Sequence, residues 1–233
     1  MSTSPKNAVL LIGSPRLEHS TSKALGDRLL ERLATRGMAT ESHFIHRAFE
    51  TTAKAGAMLA AVDGADIVIF AFPLYVDHLP APVIWACGKI AAWRRAQRST
   101  ARPLLACVVQ CGFPETHQNQ PAVDIMHRFA DSAGFEWAGG LIMGMGGAAA
   151  GRPIPEKPKG MLRNMIKGLD QAAADLAEGR AISIETIALM GRKLFPYKLY
   201  YWIANYGLRR EIRKYAKKSG KALDAYARPY VSA

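Results

Sequence analysis

Residues 67–73 read Ile-Val-Ile-Phe-Ala-Phe-Pro. The run from Ile67 to Phe72 is short, β-branched or aromatic at most positions, and carries no polar face. It reads as a strand buried on both sides, ended by Pro73. Such strands belong to parallel sheets with helices on both faces. Working outward, Ala8–Ile12 is a similar run bounded by Gly13, and Leu104–Gln110 is another, stopped by Cys111-Gly112-Phe113-Pro114. Ser42–Ile45 is a weaker strand, and Phe135–Met143 is strand-like despite Gly139 and Gly140. Helical patterns fall between them. Thr21–Arg36 places Ala24, Leu25, Leu29, Leu30 and Leu33 on one face before Gly37. Thr52–Val62, Pro82–Gln97, Pro121–Ala133 and about Lys159–Glu178 complete the set. Five apolar strands alternating with helices predict an α/β fold, a doubly wound five-stranded parallel sheet.

The chain has 233 residues, which suits one large domain or one domain with an extension. With 49% hydrophobic residues it can bury a core, which excludes wholesale disorder. No uncharged apolar stretch reaches the ~18 residues of a membrane span. The start lacks a basic region followed by a long apolar run, so no secretory signal is expected. Cys87, Cys107 and Cys111 are too few for a disulfide framework and suit a reducing cytoplasm. The formal charge of +12 is unevenly placed. From Arg192 onward eleven basic residues face two acids, while the first 191 residues hold 20 basic and 17 acidic ones.

Ligands of doubly wound sheets bind beyond the carboxyl ends of the strands. Three segments fall there. Gly13-Ser14-Pro15-Arg16-Leu17-Glu18-His19-Ser20-Thr21-Ser22 leads from the first strand into a helix. Free amides at a helix start, the hydroxyls of Ser14, Ser20, Thr21 and Ser22, and Arg16 make a phosphate cradle in chemical terms. An ordinary N-cap would use the same residue types. The segment is neither a Walker loop nor a dinucleotide fingerprint. Gly144-Met145-Gly146-Gly147-Ala148-Ala149 matches that fingerprint better but opens no helix, so it reads as a chance match. Pro73-Leu74-Tyr75-Val76-Asp77-His78-Leu79-Pro80 follows the third strand, where Tyr75 could lie on a flat ring or merely pack. Cys111-Gly112-Phe113-Pro114-Glu115 follows the fourth and leaves the same choice; Cys111 reads as a small residue at a tight turn. Cys107 and Cys111 lack redox-pair spacing, His43 and His46 read as surface residues, and no metal site or nucleophile elbow is present.

The GSPR…STS loop, the ADIVIFAFPLYVDHLPAPV stretch and the CGFPE loop together resemble the flavodoxin-like NAD(P)H-dependent FMN reductase family, over roughly residues 7–180. The resemblance implies that Ser14, Arg16, Ser20, Thr21 and Ser22 hold the FMN phosphate. It implies that Pro73, Leu74, Tyr75 and Val76, with Cys111, Gly112, Phe113 and Glu115, border the ribityl chain and ring. It further implies NADH or NADPH as co-substrate, a small electron acceptor and a homodimer. Iron–sulfur transfer, known in some relatives, is not supported, since this chain lacks their cysteine-rich segment.

The expected division is a flavodoxin-like domain over 1–181 and a basic, aromatic-rich helical extension over 182–233. Nine aromatics lie between Phe195 and Tyr230. Leu199, Ile203, Tyr206 and Arg210 share a helical face, and Ile212, Tyr215 and Ala216 continue an apolar stripe. Such a tail could pack on its own domain or a second subunit, or touch an anionic membrane surface through 192–228. Basic charge alone makes nucleic acid the weakest of these readings. The expectation is therefore an FMN-dependent oxidoreductase, cytoplasmic or peripheral to the inner face of the membrane. The alternative is a flavodoxin-fold FMN-binding or electron-carrier module docked through its tail.

Overall fold

The computed structural model describes residues 6–149 and 154–220. Its strands are β1 (Asn7–Ile12), β2 (Ala39–Phe44), β3 (Ile67–Pro73), β4 (Leu104–Gln110) and β5 (Glu136–Met143). All neighbouring pairs are parallel, in the order β2-β1-β3-β4-β5. This is the order of flavodoxin-like doubly wound sheets, with the switch point between β1 and β3. The helices are α1 (Thr21–Ala34), α2 (Ile45–Ala48), α3 (Thr52–Asp63), α4 (Ala81–Gln97), α5 (Gln120–Ala133), α6 (Arg163–Ala177), α7 (Ile184–Met190) and α8 (Tyr197–Ser219).

Strand alternation divides the core into two layers. Ile67, Ile69 and Ala71 pack with Leu25, Leu29 and Leu33 of α1 and with Ile166, Leu169 and Ala173 of α6. Val68, Phe70 and Phe72 point the other way, among Met58 of α3, Val83 and Ile90 of α4, and Met126 and Phe129 of α5. Every residue of β3 is buried. Two buried arginines tie the layers down. Arg28 on α1 makes a two-pronged pair with Asp170 on α6, both contacts at 2.9 Å. Arg94 on α4 donates to Asp63 at 3.1 Å and to the Ala133 carbonyl at 2.9 Å, and stacks over Phe135.

Two elements depart from expectation. The edge strand β2 covers Ala39–Phe44, not Ser42–Ile45, because Ile45 begins the short helix α2. Its first four residues are exposed, so no apolar run marks it; backbone pairing with β1 defines it. Helix α7 falls within the expected helical extension but belongs to the sheet-bearing unit. Ile182 and Ile187 close over Gly139, where a Cβ would meet them at 3.3 and 3.5 Å and where a φ of +124° strains any residue but glycine. Met190 sits against Gly168 on α6. The sheet-bearing unit accordingly runs through Leu194, past the expected 181/182 boundary.

The second unit begins at Phe195 and contains α8, the expected helical extension. Lys221, Asp224, Tyr226, Arg228 and Tyr230, counted with the tail above, lie outside the described residues. Among the described residues no helix is long and apolar enough to cross a membrane.

Candidate functional site

The chain leaves β1 at Gly13, whose amide donates to the Ala71 carbonyl of β3 at 2.9 Å. A Cβ at Gly13 would lie 2.3 Å from Val83 Cγ2, so only glycine lets the loop turn here. After a single 3₁₀ turn, Ser20 caps α1: its Oγ accepts from the Lys23 amide at 3.1 Å. The first intrahelical bond runs from Ala24 N–H to the Ser20 carbonyl, so the amides of Thr21 and Ser22 precede both bonds at the positive end of the helix. Ser14 Oγ accepts from the Arg16 amide at 3.4 Å. Thr21 Oγ1 donates to the Gly146 carbonyl at 3.1 Å, tying the start of α1 to the segment after β5.

That segment is laced to the loop after β4. Cys111 N–H donates to the Met143 carbonyl, Met145 N–H to Phe113 and Gly146 N–H to Cys111, at 3.1, 2.8 and 2.8 Å. A Cβ at Gly144 would meet the Phe113 and Pro114 carbonyl oxygens at 2.8 and 2.9 Å. Beyond β3, Leu74 N–H reaches back to the Gln110 carbonyl at 2.8 Å. Tyr75 and His78 then exchange amide–carbonyl bonds, both at 3.0 Å, across a two-residue turn. Its central residues, Val76 and Asp77, have φ of 48° and 57°. Among the described residues, Leu17, Val76, Asp77, Met145 and Arg98 are the non-glycine positions with positive φ. All except Arg98 lie on these strand-end loops. Backbone strain of this kind concentrates at functional sites.

The loops enclose a cavity of about 260 Å³ at the carboxyl ends of β1, β3 and β4. Ser14, Arg16, Ser20 and Thr21 line it from the first loop. Pro73, Leu74 and Tyr75 line it from the second, and Cys111 and Gly112 from the third. The other four residues singled out in the sequence do not. Ser22 is fully buried, and its Oγ lacks a hydrogen-bond partner. Val76 and Phe113 project into solvent, Val76 at 95% exposure, and Glu115 is partly exposed. Sequence reasoning missed Gln110, Gly146 and Gly147, which complete the wall. The signals were a polar residue ending an apolar strand and a glycine run directly after the last one. That run opens no α-helix and so is no dinucleotide fingerprint, yet its tie to Thr21 at the start of α1 brings it to the cavity.

Cys111 is buried, and burial raises its thiol pKa against the opposing hydrogen bonds from Phe113 and Asn119. Asn119 Nδ2 donates to its Sγ at 3.3 Å. The thiol is held as a neutral part of the wall. The site therefore offers hydroxyls, a guanidinium and helix-start amides for an anion, with apolar and aromatic groups for a flat body.

No family model matches the chain, and no curated protein sequence is similar to it. Solved structures do match in fold. An NADH:FMN oxidoreductase in its apo form aligns over 78% of this chain and 93% of its own, with 16% identity and a TM-score of 0.55. The FMN-dependent NADH-azoreductase of Bacillus anthracis, in complex with FMN, covers 74% of this chain and 99% of its own, at 14% identity and a TM-score of 0.53. A flavodoxin from Streptococcus pneumoniae TIGR4 covers 73% and 97%, at 17% identity and a TM-score of 0.50. Sheet order and these likenesses agree: the chain has the flavodoxin-like α/β fold, with a helical C-terminal extension.

Proposed function

We propose that this protein is an FMN-dependent oxidoreductase that passes hydride from NADH or NADPH, through the flavin, to a small acceptor such as a quinone, a nitro compound or a free flavin. The observation that carries the reading is one cavity at the switch point, lined jointly by an anion-binding loop and two loops bearing apolar and aromatic groups. The donor set fits the cofactor. Ser14, Arg16, Ser20 and Thr21, with the amides heading α1, suit a dianionic phosphate, and the orphaned Ser22 hydroxyl lies in the same first turn. Pro73, Leu74 and Tyr75 with Cys111 and Gly112 would border the ribityl chain and ring, covering one side from water.

Bound FMN would supply the two-electron chemistry itself, so no catalytic acid or nucleophile is required of the chain. The residues described here bind and orient. Val76 and Phe113, next in sequence to the lining residues Tyr75 and Gly112, offer exposed apolar surface on which a second copy could close. The homodimer belongs to the same proposal, and a monomeric mass in light scattering counts against it.

The deciding experiment is the absorption spectrum of the purified protein, followed by NAD(P)H oxidation with a quinone acceptor. Oxidised-flavin bands, FMN release on denaturation and steady turnover are expected. Colourless protein that also fails to bind added FMN would falsify the flavin assignment. A yellow protein without turnover is instead the electron carrier represented among its structural neighbours.

A further inference from the structure

The second unit has a chemistry that the cavity does not use. Helix α8 carries Tyr197, Tyr201, Ala204, Leu208, Ile212 and Tyr215 at spacings of four, three, four, four and three, one stripe along nearly its whole length. At 1.5 Å per residue the stripe is about 27 Å long. On the other side Trp202 and Tyr206 stack at 6.1 Å, next to Leu199 and Ile203. From Arg209 to Lys218 the helix holds six cations, Arg209, Arg210, Arg213, Lys214, Lys217 and Lys218, against Glu211, which pairs with Lys214 at 2.7 Å. Arg210, Arg213 and Lys217 share one face, away from the long stripe.

We infer that α8 binds the surface of an anionic lipid bilayer, lying in the interface with its long stripe toward the acyl chains. Charge complementarity selects this occupant. Residues 1–191 carry only a small positive excess, 20 basic against 17 acidic residues. A body so nearly balanced, in this chain or in a second copy, offers no net attraction for so cationic a helix, whereas an anionic bilayer does. A nucleic acid would answer the cations but not the apolar stripe; an anionic bilayer answers both. The stripe's tyrosines, Tyr197, Tyr201 and Tyr215, favour the headgroup level, where the long Lys and Arg side chains also reach phosphate. None of these residues lines the cavity, so the inference stands or falls apart from the flavin reading.

The test is co-sedimentation of the full-length protein with phosphatidylcholine vesicles, with and without phosphatidylglycerol. Binding is expected only with phosphatidylglycerol, and added salt should release it. Arg213→Gln with Lys217→Gln should weaken binding roughly 5-fold per charge removed. Leu208→Gln with Ile212→Gln should weaken it by a similar or larger factor while circular dichroism keeps its helical signal. Failure to pellet with anionic vesicles overturns the proposal, as does equal pelleting with both vesicle types. Dependence on the cations but not on Leu208 and Ile212 also overturns it, in favour of simple polyanion adhesion. So does concentration-dependent self-association abolished by the Leu208/Ile212 pair without any vesicle binding.

Discussion

Ser20 has two separable roles. Its Oγ caps α1, so Ser20→Ala should cost about 1 kcal/mol in urea unfolding whatever the ligand. Combined with Thr21→Ala, it should also weaken FMN more than riboflavin, because only FMN carries the phosphate; equal loss for both would contradict the phosphate assignment. The cysteines give a second prediction at this scale. Burial pushes the Cys87 thiol from 9.0 up to about 12, and it raises Cys107 and Cys111 too. Unfolded thiols ionise near 9 while these stay protonated, so above that pH the unfolded state binds fewer protons and stability falls. The urea midpoint should drop as pH rises from about 9 toward 12, and Cys87→Ala should lose less over that range. At neutral pH, alkylation of the native thiols should be far slower than in denaturant. A native rate equal to the denatured one would show that the thiols are not sealed. Ser14, Arg16, Ser20 and Thr21 were legible in sequence because they follow a buried strand directly. Gln110, Gly146 and Gly147 were not, since their place depends on the lacing of two loops distant in sequence.

At the scale of elements, the turn after β3 is the informative one. Both of its central residues have positive φ, a conformation that glycine adopts without strain and a β-branched residue does not. Val76 is 95% exposed, so Val76→Gly sacrifices almost no packing. Relief of roughly 1–2 kcal/mol of left-handed strain is partly offset by the greater freedom of glycine in the unfolded chain. A net gain of about 0.5–1 kcal/mol is expected in chemical denaturation. A loss would mean that the Val76 side chain is held by a contact, as at a subunit interface. The central strands and the longer helices were legible because burial on two faces, or on one helical stripe, is written in local periodicity. The full extent of strand β2, only its end legible as a weak strand at Ser42–Ile45, and the attachment of helix α7 to the sheet-bearing unit were not. The first is defined by pairing at an exposed edge, the second by its fit over Gly139 and Gly168.

For the whole molecule, stability should be graded outward from β3. Its residues are all buried, and it pairs on both sides, with β1 and β4. Amides from Ile67 to Phe72 should therefore be among the last to exchange in hydrogen–deuterium exchange. Those of the exposed edge, Ala39 to Ser42, should exchange far sooner. Comparable protection of both would refute this gradient. The sequence by itself determined the layer order, because alternation of apolar strands and amphipathic helices admits few right-handed windings. It also determined where charge is concentrated, since a count along the chain needs no coordinates. Only the tertiary structure decided which strand ends share one cavity and which glycines form its wall. It likewise decided that the sheet-bearing unit extends to Leu194. Those facts depend on contacts between residues far apart in the chain, and local periodicity carries no information about such contacts.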